Sequence, residues 1–422
     1  FSNCCRLVKF WACLGRVEIG KMMSILFNLQ DVPTDYLTEP YSFLAKLRMQ
    51  SPVHNSPDGT FVLTSYHDIV QTYRDPVIWS SDKKDAFGPK FGDTPLFEHH
   101  TNSVVFIDPP DHTRIRRLFQ SAFTRKALNA FIPRITSLVD EYLDRFEDQS
   151  EMEVVEEFSF RLPIEVVCDL LGVPRQDREL IRGWANAILT ALEPTLNQNQ
   201  FDDGNLAVIN FKQYLRELIA HRRAHPHSAK DTEVLTVLAD AEADGERLTE
   251  IELLHQCIFM LNAGHETSTN MISHGIHEML RNPDQIDLLL KDPDLISPMV
   301  EEVLRYQAPI QINNRRATSD QILSGVKIPA GATVHMMINA GNRDPAQFPN
   351  PDQFDITRLP NRHLSFGLGV HICVGNALAR IEAQIAFQGL FQRFPKLSLT
   401  CPATIAPRLR FREVSALHIS KN

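Results

Sequence analysis

One cysteine, Cys373, lies where a glycine-rich turn meets an amphipathic segment. Apolar residues recur at helical spacing from Leu378 to Phe391, which predicts that the thiol precedes a helix or lies in its first turn. Backbone N–H groups without partners and the positive helix end favour an anionic sulfur there. A thiolate is a good ligand for a soft or borderline metal, and Gly367, Gly369 and Gly375 leave room for a bulky cofactor. Taken alone, a single buried cysteine is more often a small hydrophobic residue without chemistry.

The spacing around the cysteine is more specific than the cysteine itself. The pattern F-x-x-G-x-H-x-C-x-G occupies five positions, at Phe366, Gly369, His371, Cys373 and Gly375. Together with the Leu-Ala-Arg that follows, it resembles the haem-binding signature of the cytochrome P450 family. The resemblance implies that Cys373 binds the iron of haem b and that the cofactor contacts nearby loop residues, namely Phe366, Gly367, His371 and Gly375. A haem thiolate favours cleavage of the O–O bond.

A long helix is predicted before this loop. Thr249 and Glu252 form a capping box, and the helical pattern continues to Pro283, so about 30 residues at about 1.5 Å each make a rod of about 45 Å. Midway, Ala263, Gly264 and Thr267 share one face, where two small residues lie beside a hydroxyl. Because glycine costs about 1 kcal/mol relative to alanine in a helix, we expect another group to approach Gly264 closely.

The motif A-G-x-E-T at this place resembles the acid–alcohol pair of the same family. The resemblance implies that Glu266 and Thr267 supply protons while O2 is activated, with Ala263 and Gly264 facing the cofactor. From the residues alone, a solvated glutamate and a threonine bonded within its own helix are the commoner interpretation.

Two cationic positions match residues that bind haem propionates in the family. His112 and Arg116 are four apart on one face of a predicted helix that follows two prolines; by composition alone they would most often be solvated. The family's H-x-x-x-R at this place implies that both bind propionates. Arg315 matches a further propionate position, and its neighbour Arg316 is the competing choice.

A third motif resembles the family's structural E-x-x-R element. Glu302 and Arg305 lie three apart on a predicted helix, and Arg358 is the expected third member. As an exposed pair, the first two would contribute only about 0.3 kcal/mol. The resemblance implies that the three residues hold the loop that presents Cys373.

Composition excludes some functions. The 422 residues carry 43 Lys and Arg against 52 Asp and Glu, a net charge of −9, which does not suggest a nucleic-acid binder. The apolar stretch from Leu7 to Leu14 is interrupted by Lys9, too short for a membrane anchor of about 20 residues. Seven cysteines without a C-x-x-C pair favour reduced thiols and a cytoplasmic location.

We therefore predict a mainly α fold with a smaller β-rich portion, the cytochrome P450 fold. Residues 1–23 are expected to be an extension outside the folded unit, and residues 24–422 to form a single haem-thiolate monooxygenase domain. Phenylalanines between residues 80 and 105 accompany Gly and Pro in a segment expected to be irregular, either a lid over an apolar pocket or a surface loop.

The predicted reaction inserts one oxygen atom from O2 into a mainly apolar small organic substrate. No nucleotide or flavin module is recognised in the sequence, so electrons must come from outside. Soluble bacterial members that the chain resembles usually receive them from a ferredoxin and its reductase. A non-catalytic haem-binding sensor or carrier and a peroxide-driven haem enzyme are the alternatives; the second normally lacks the acid–alcohol pair.

Overall fold

The computed structural model describes residues 27–32, 34–120, 123–193, 196–225, 234–240, 242–243 and 246–421. The extension predicted at residues 1–23 lies outside the described residues, and the boundary of the predicted domain stays a prediction. Within the described ranges, no helix is both long and apolar enough to cross a membrane.

Helices dominate the described structure, as the recurring apolar positions predict. In chain order they are α1 (Thr34–Thr38), α2 (Tyr41–Gln50), α3 (Tyr66–Arg74), α4 (Lys84–Phe91), α5 (Pro95–Asn102), α6 (Asp111–Gln120), α7 (Arg125–Glu147), α8 (Arg161–Leu171), α9 (Arg178–Thr190), α10 (Gln198–Ala224), α11 (Val234–Asp240), α12 (Glu250–Arg281), α13 (Pro283–Lys291), α14 (Ile296–Tyr306), α15 (Ile338–Gly341) and α16 (Asn376–Arg393).

The strands are short. They are β1 (Val53–Asn55), β2 (Phe61–Leu63), β3 (Trp79–Ser80), β4 (Glu151–Glu153), β5 (Glu242–Ala243), β6 (Glu246–Arg247), β7 (Ile312–Ala317), β8 (Gln321–Leu323), β9 (Val326–Ile328), β10 (Thr333–Met337), β11 (Leu397–Leu399), β12 (Thr404–Ile405), β13 (Val414–Ala416) and β14 (His418–Lys421). The largest sheet among the described residues has the order β1-β2-β10-β7-β3, in which β10 runs parallel to β2 and the other pairs are antiparallel. The mainly α fold with a smaller β portion is confirmed.

The long helix α12 begins where the sequence predicts. The Thr249 side chain accepts a hydrogen bond from the Glu252 N–H, and the Glu252 carboxylate accepts one from the Thr249 N–H at 2.8 Å, which completes the capping box. The helix ends at Arg281, two residues before Pro283, and packs against α8 and α16. Most of its residues are buried, so it forms the centre of the main hydrophobic core.

The segment between residues 80 and 105 is not irregular, and that prediction is wrong. It contains the two short helices α4 and α5, separated by Gly92 at φ +62°. The Thr94 hydroxyl accepts from the Phe97 N–H at 3.4 Å, and Pro95 takes the first helical turn, where its missing N–H costs nothing. Gly92 and Pro95 therefore mark helix ends here, whereas Gly88 and Pro89 lie inside α4.

The E-x-x-R element is buried rather than exposed. Arg305 donates two hydrogen bonds of 2.7 Å to the Glu302 carboxylate, and both side chains have no exposed surface. Arg358 adds a contact of 3.2 Å to the same carboxylate. The Arg305 guanidinium also donates to the carbonyls of Asn342 and Pro351, so the cluster ties α14 to the chain that leads to the Cys373 loop.

Candidate active site

A large internal cavity lies between α12 and the loop that precedes α16. Every predicted site residue except Glu266 lines it. These residues are His112, Arg116, Ala263, Gly264, Thr267, Arg315, Phe366, Gly367, His371, Cys373 and Gly375. The two halves of the predicted site, the cysteine loop and the middle of α12, thus face one enclosed space.

Cys373 lies three residues before α16, as the spacing predicts. Its backbone N–H donates to the Phe366 carbonyl at 2.9 Å, which closes the loop. Gly369 has a φ of +71°, and a Cβ there would lie 2.5 Å from the Tyr73 carbonyl oxygen, so this turn requires glycine.

The environment of the thiol contains opposing effects. Burial raises the pKa of Cys373, whereas the backbone N–H groups of Gly375 and Asn376 and the charges of Arg116 and Arg380 lower it; burial is the larger effect. The helix start therefore favours the thiolate, as expected, without outweighing burial. A bound cation would reverse this balance, because a thiol that coordinates a metal is deprotonated.

An ion-pair cluster holds the loop that carries Cys373 against α14. Arg380 of α16 donates to Glu301 of α14 at 2.6 Å, and His363 contacts the same carboxylate at 3.2 Å. These partners lower the pKa of Glu301 to about 2 against the opposing effect of burial. The Arg380 guanidinium also lies 4.5 Å from the centre of the Phe366 ring, so it holds the residue whose carbonyl pairs with Cys373.

A polar rim of two histidines and an arginine borders the cavity near Cys373. The rings of His112 and His371 are 4.1 Å apart, and Arg116 donates to the Ile372 carbonyl at 2.6 Å. Both ring nitrogens of His112, Nε2 of His371 and Nε of Arg116 are buried without a hydrogen-bond partner among the described residues. Burial lowers the pKa of His112 to about 4 and that of His371 to about 2, and nearby arginines add to both shifts.

Arg315 and Arg316, the two competing candidates, point in different directions. Arg315 is buried, lines the cavity and donates to the Asn314 carbonyl at 2.8 Å. Arg316 points away and pairs with Asp85 at 2.8 Å. Only the first can meet an anion inside the cavity.

The face of α12 formed by Ala263, Gly264 and Thr267 differs in one respect from the prediction. Thr267 donates to the Ala263 carbonyl at 2.6 Å, and both residues line the cavity. Gly264 also lines it, yet a Cβ there would lie 2.7 Å from Cγ2 of Val167 on α8. The group that requires glycine at this position is therefore a neighbouring helix.

Glu266 turns away from the cavity. Its carboxylate bonds to Arg408, which also contacts Glu413 at 2.6 Å and Glu193 at 3.2 Å. Burial raises the pKa of Glu266 to about 7, although the Arg408 charge opposes the shift. Its Oε2 atom is buried without a partner in the described structure.

Several polar residues of the cavity wall were not predicted from the sequence. Glu382 on α16 is buried, and burial raises the pKa of its carboxyl to about 8. His100, Asn262 and Arg410 also line the cavity, each with a buried polar atom that lacks a partner among the described residues. None lies in a spaced motif, and only the fold brings them to the cavity.

The residues present fit a haem b group. A thiol on one wall suits the iron, and the unpartnered polar atoms of His112, Arg116 and His371 suit two propionates. The cytochrome P450 family model matches residues 61–411, and the chain belongs to the cytochrome P450 family. It is a monooxygenase of this family, which uses haem b as its cofactor and O2 as co-substrate and acts on small molecules.

Relatives of known identity agree with this assignment. The biotin biosynthesis cytochrome P450 of Bacillus subtilis (strain 168) is 36% identical over 372 residues, which are 87% of this chain and 92% of that protein. The vitamin D(3) 25-hydroxylase of Pseudonocardia autotrophica is 36% identical over 364 residues, which are 85% and 87% of the two chains. The crystal structure of P450BioI in complex with hexadec-9Z-enoic acid ligated acyl carrier protein has a TM-score of 0.85 and 34% identity, covering 92% of this chain and 99% of that one.

Proposed function

We propose that this chain inserts one oxygen atom from O2 into a mainly apolar small organic substrate, with Cys373 as the iron ligand. The observation that carries the proposal is that Cys373 and Thr267, from distant parts of the chain, line the same cavity. His112, Arg116, Arg315 and His371 hold the propionates in this proposal. Ala263, Gly264, Phe366, Gly367 and Gly375 form the walls against the ring.

The bound haem supplies the oxygen-activating chemistry. The side chains of this chain donate and accept protons and exclude water. In the resting arrangement the Thr267 hydroxyl donates to the Ala263 carbonyl. A rotation about its Cα–Cβ bond directs the same hydroxyl into the cavity. Glu266, whose pKa is about 7, can both release and regain a proton near neutral pH, which is what a proton supplier requires.

The cavity composition supports an apolar substrate. Aliphatic and aromatic side chains form the wall away from Cys373, including Phe106, Leu170, Ile188, Leu189 and Met260. Such a wall gains free energy by burying apolar surface at about 25 cal/mol per Å², and it keeps bulk water from the reacting centre.

Electron delivery by a ferredoxin and its reductase is part of the proposal, as is a cytoplasmic location. Val370 and Ile372, in the loop that carries Cys373, are each 40% exposed. Arg116, which donates to the Ile372 carbonyl, adds a positive charge to this surface. A small acidic redox protein docked here would lie against the loop that carries Cys373.

The proposal is tested by two measurements on the haem-loaded protein. The reduced protein with CO is expected to show the absorption band typical of thiolate ligation, and Cys373→Ala to lose it. Cys401→Ala is the matched control, because Cys401 is exposed and lies outside the cavity. Substrate-dependent NADPH consumption with added ferredoxin and reductase, yielding oxygenated product, separates a monooxygenase from a sensor; its absence across an apolar compound library would contradict the proposal.

A further inference from the structure

Arg410 is a charged residue in the cavity wall that forms no ion pair with any described carboxylate. It is half-buried and lines the cavity, and its guanidinium makes no hydrogen bond, ion pair or cation–π contact with any described residue. The two nearby arginines in the sequence, in contrast, both have partners. Arg408 contacts three carboxylates, and Arg412 donates to the Thr38 carbonyl at 2.7 Å.

The surroundings of Arg410 do not neutralise it. Burial lowers the pKa of Arg410, whereas Glu193 and Tyr73 raise it by a smaller amount. Glu193 is already engaged by Arg408 at 3.2 Å. Lys90 adds a second cation, and repulsion from Arg410 helps to lower the pKa of Lys90 to about 8. A half-buried charge without an ion-pair partner is costly, so a ligand that brings an anion would be stabilised here.

His100 supplies a second polar group at this end of the cavity. It lines the cavity, is 2% exposed, and its Nε2 atom has no partner in the described structure. Its ring packs against Phe87, Phe91 and Phe106 at centroid distances of 5.6, 5.3 and 6.2 Å. Burial and the charges of Lys90 and Arg410 lower the pKa of His100 to about 3, so the ring is neutral and can donate one hydrogen bond.

Arg410 and His100 come from other elements than the residues that would hold the haem propionates. Arg410 shares Tyr73 and Lys83 as electrostatic neighbours with one of these residues, Arg315. His112, Arg116 and His371 belong to α6 and the cysteine loop, whereas Arg410 lies after β12 and His100 on α5. The backbone carbonyl of Arg410 accepts from Gln311, and the adjacent Phe411 bridges to Ile310, which fixes the segment against the cavity wall before β7. In the function proposed above, His112, Arg116, Arg315 and His371 would hold the two propionates, so Arg410 would remain available to a substrate.

We propose that the substrate is an apolar molecule with a carboxylate. Arg410 binds this carboxylate by charge-assisted hydrogen bonds, beside His100 and the phenylalanines that pack on its ring. This inference rests on the monooxygenase function proposed above. Arg suits the role because its planar fork matches a carboxylate bidentately. Binding the carboxylate at a fixed point would set which carbon of the apolar body reaches the reacting centre.

The test uses pairs of carboxylic acids and their methyl esters on three apolar bodies: dodecanoic acid, lithocholic acid and abietic acid. Dissociation constants are measured on the haem-loaded protein by the low-spin to high-spin spectral change and independently by isothermal titration calorimetry. In the wild type we expect at least one acid to bind about 10-fold more tightly than its ester. Arg410→Met is expected to weaken that acid about 30-fold, as loss of a charge-assisted hydrogen bond would, and to change the ester less than about 3-fold.

Controls separate this inference from the general function. Arg410→Lys is expected to retain part of the preference, and Arg393→Met on α16, which pairs at the surface with Asp144 and Glu147, to retain all of it. The inference is overturned if no acid binds better than its ester in the wild type, or if Arg410→Met weakens acid and ester alike. Neither result affects the CO spectrum or turnover of neutral substrates, so monooxygenation would stand. If Arg410→Met does not fold, Arg410→Lys decides, because an ammonium in place of the planar guanidinium is expected to reduce the preference for the acid and an unchanged preference would overturn the inference.

Discussion

The carboxylate of Glu266 is bonded to the guanidinium of Arg408 and does not face the cavity that its sequence neighbour Thr267 lines. Arg408 is shared with Glu193 and Glu413, so one cation serves three carboxylates. For Glu266 to pass a proton toward Thr267, its side chain has to turn away from Arg408. The arginine therefore acts as a positioning residue that sets both the resting direction and the acidity of Glu266.

Removal of Arg408 is expected to raise the pKa of Glu266. Arg408→Met deletes the one charge that lowers this pKa, while burial and the neighbouring Glu413 and Glu193, which raise it, remain. The protonated form then persists to higher pH by about one unit. The decline in product formation at alkaline pH should move upward by the same amount in a rate profile from pH 6 to 9. An unchanged profile, or a shift to lower pH, would show that Glu266 does not limit the reaction; Arg393→Met is the surface control.

The hydroxyl of Thr267 is expected to decide whether O2 yields product or peroxide. Thr267→Ala should leave haem binding and the CO spectrum intact, while the yield of product per NADPH falls about 10-fold or more and hydrogen peroxide rises. Thr269→Ala is the matched control, because Thr269 makes the same bond within its helix, to the His265 carbonyl at 3.0 Å, and does not line the cavity. A Thr267→Ala enzyme that still couples NADPH to product would remove the proton role from this residue.

The buried pair Glu302–Arg305 is expected to be a major determinant of stability. Arg305→Ala leaves the Glu302 carboxylate buried with Arg358 as its remaining cation, and we expect the free energy of unfolding to fall by about 3–5 kcal/mol. The exposed i, i+4 pair of Arg145 and Glu141 at 2.6 Å provides the comparison, and Arg145→Ala should cost less than about 0.5 kcal/mol. Urea unfolding of the two variants measures both values, and equal losses would contradict the burial argument.

Local patterns were sufficient for the parts of the site that depend on neighbours in sequence. The capping box at Thr249 and the position of Cys373 before its helix follow from residues within a few positions, and both predictions are confirmed. The burial of Glu302 could not be predicted, because it depends on the segment from Asn342 to Arg358, which lies roughly fifty residues later in the chain. Gly264 shows the same limit. A glycine inside a helix indicates that another group lies close to the backbone, but only the fold shows that this group is Val167.

The segment between residues 80 and 105 illustrates a second limit. Glycine and proline there suggested irregular structure. Gly92 after one helix and Pro95 at the start of the next stand where helix ends prefer them, while Gly88 and Pro89 are accommodated inside α4. Composition alone does not separate these roles. The same segment supplies His100 to the cavity wall, which agrees with the alternative of a lid over an apolar pocket even though the segment is helical.

Glu382 is expected to make the stability of the holoenzyme fall as the pH rises. Burial raises the pKa of this carboxyl from 4.5 to about 8, so the folded state holds a proton that the unfolded state releases. Its contribution is fully present below pH 4.5 and is lost progressively up to about pH 8, by roughly 1.4 kcal/mol for each unit of pKa difference.

Glu382→Gln keeps the shape of the side chain but removes its titration. We therefore expect the two proteins to have similar free energies of unfolding near pH 5 and the variant to be more stable by a few kcal/mol at pH 8.5, measured by urea unfolding. A constant difference across this range would mean that Glu382 does not hold the proton.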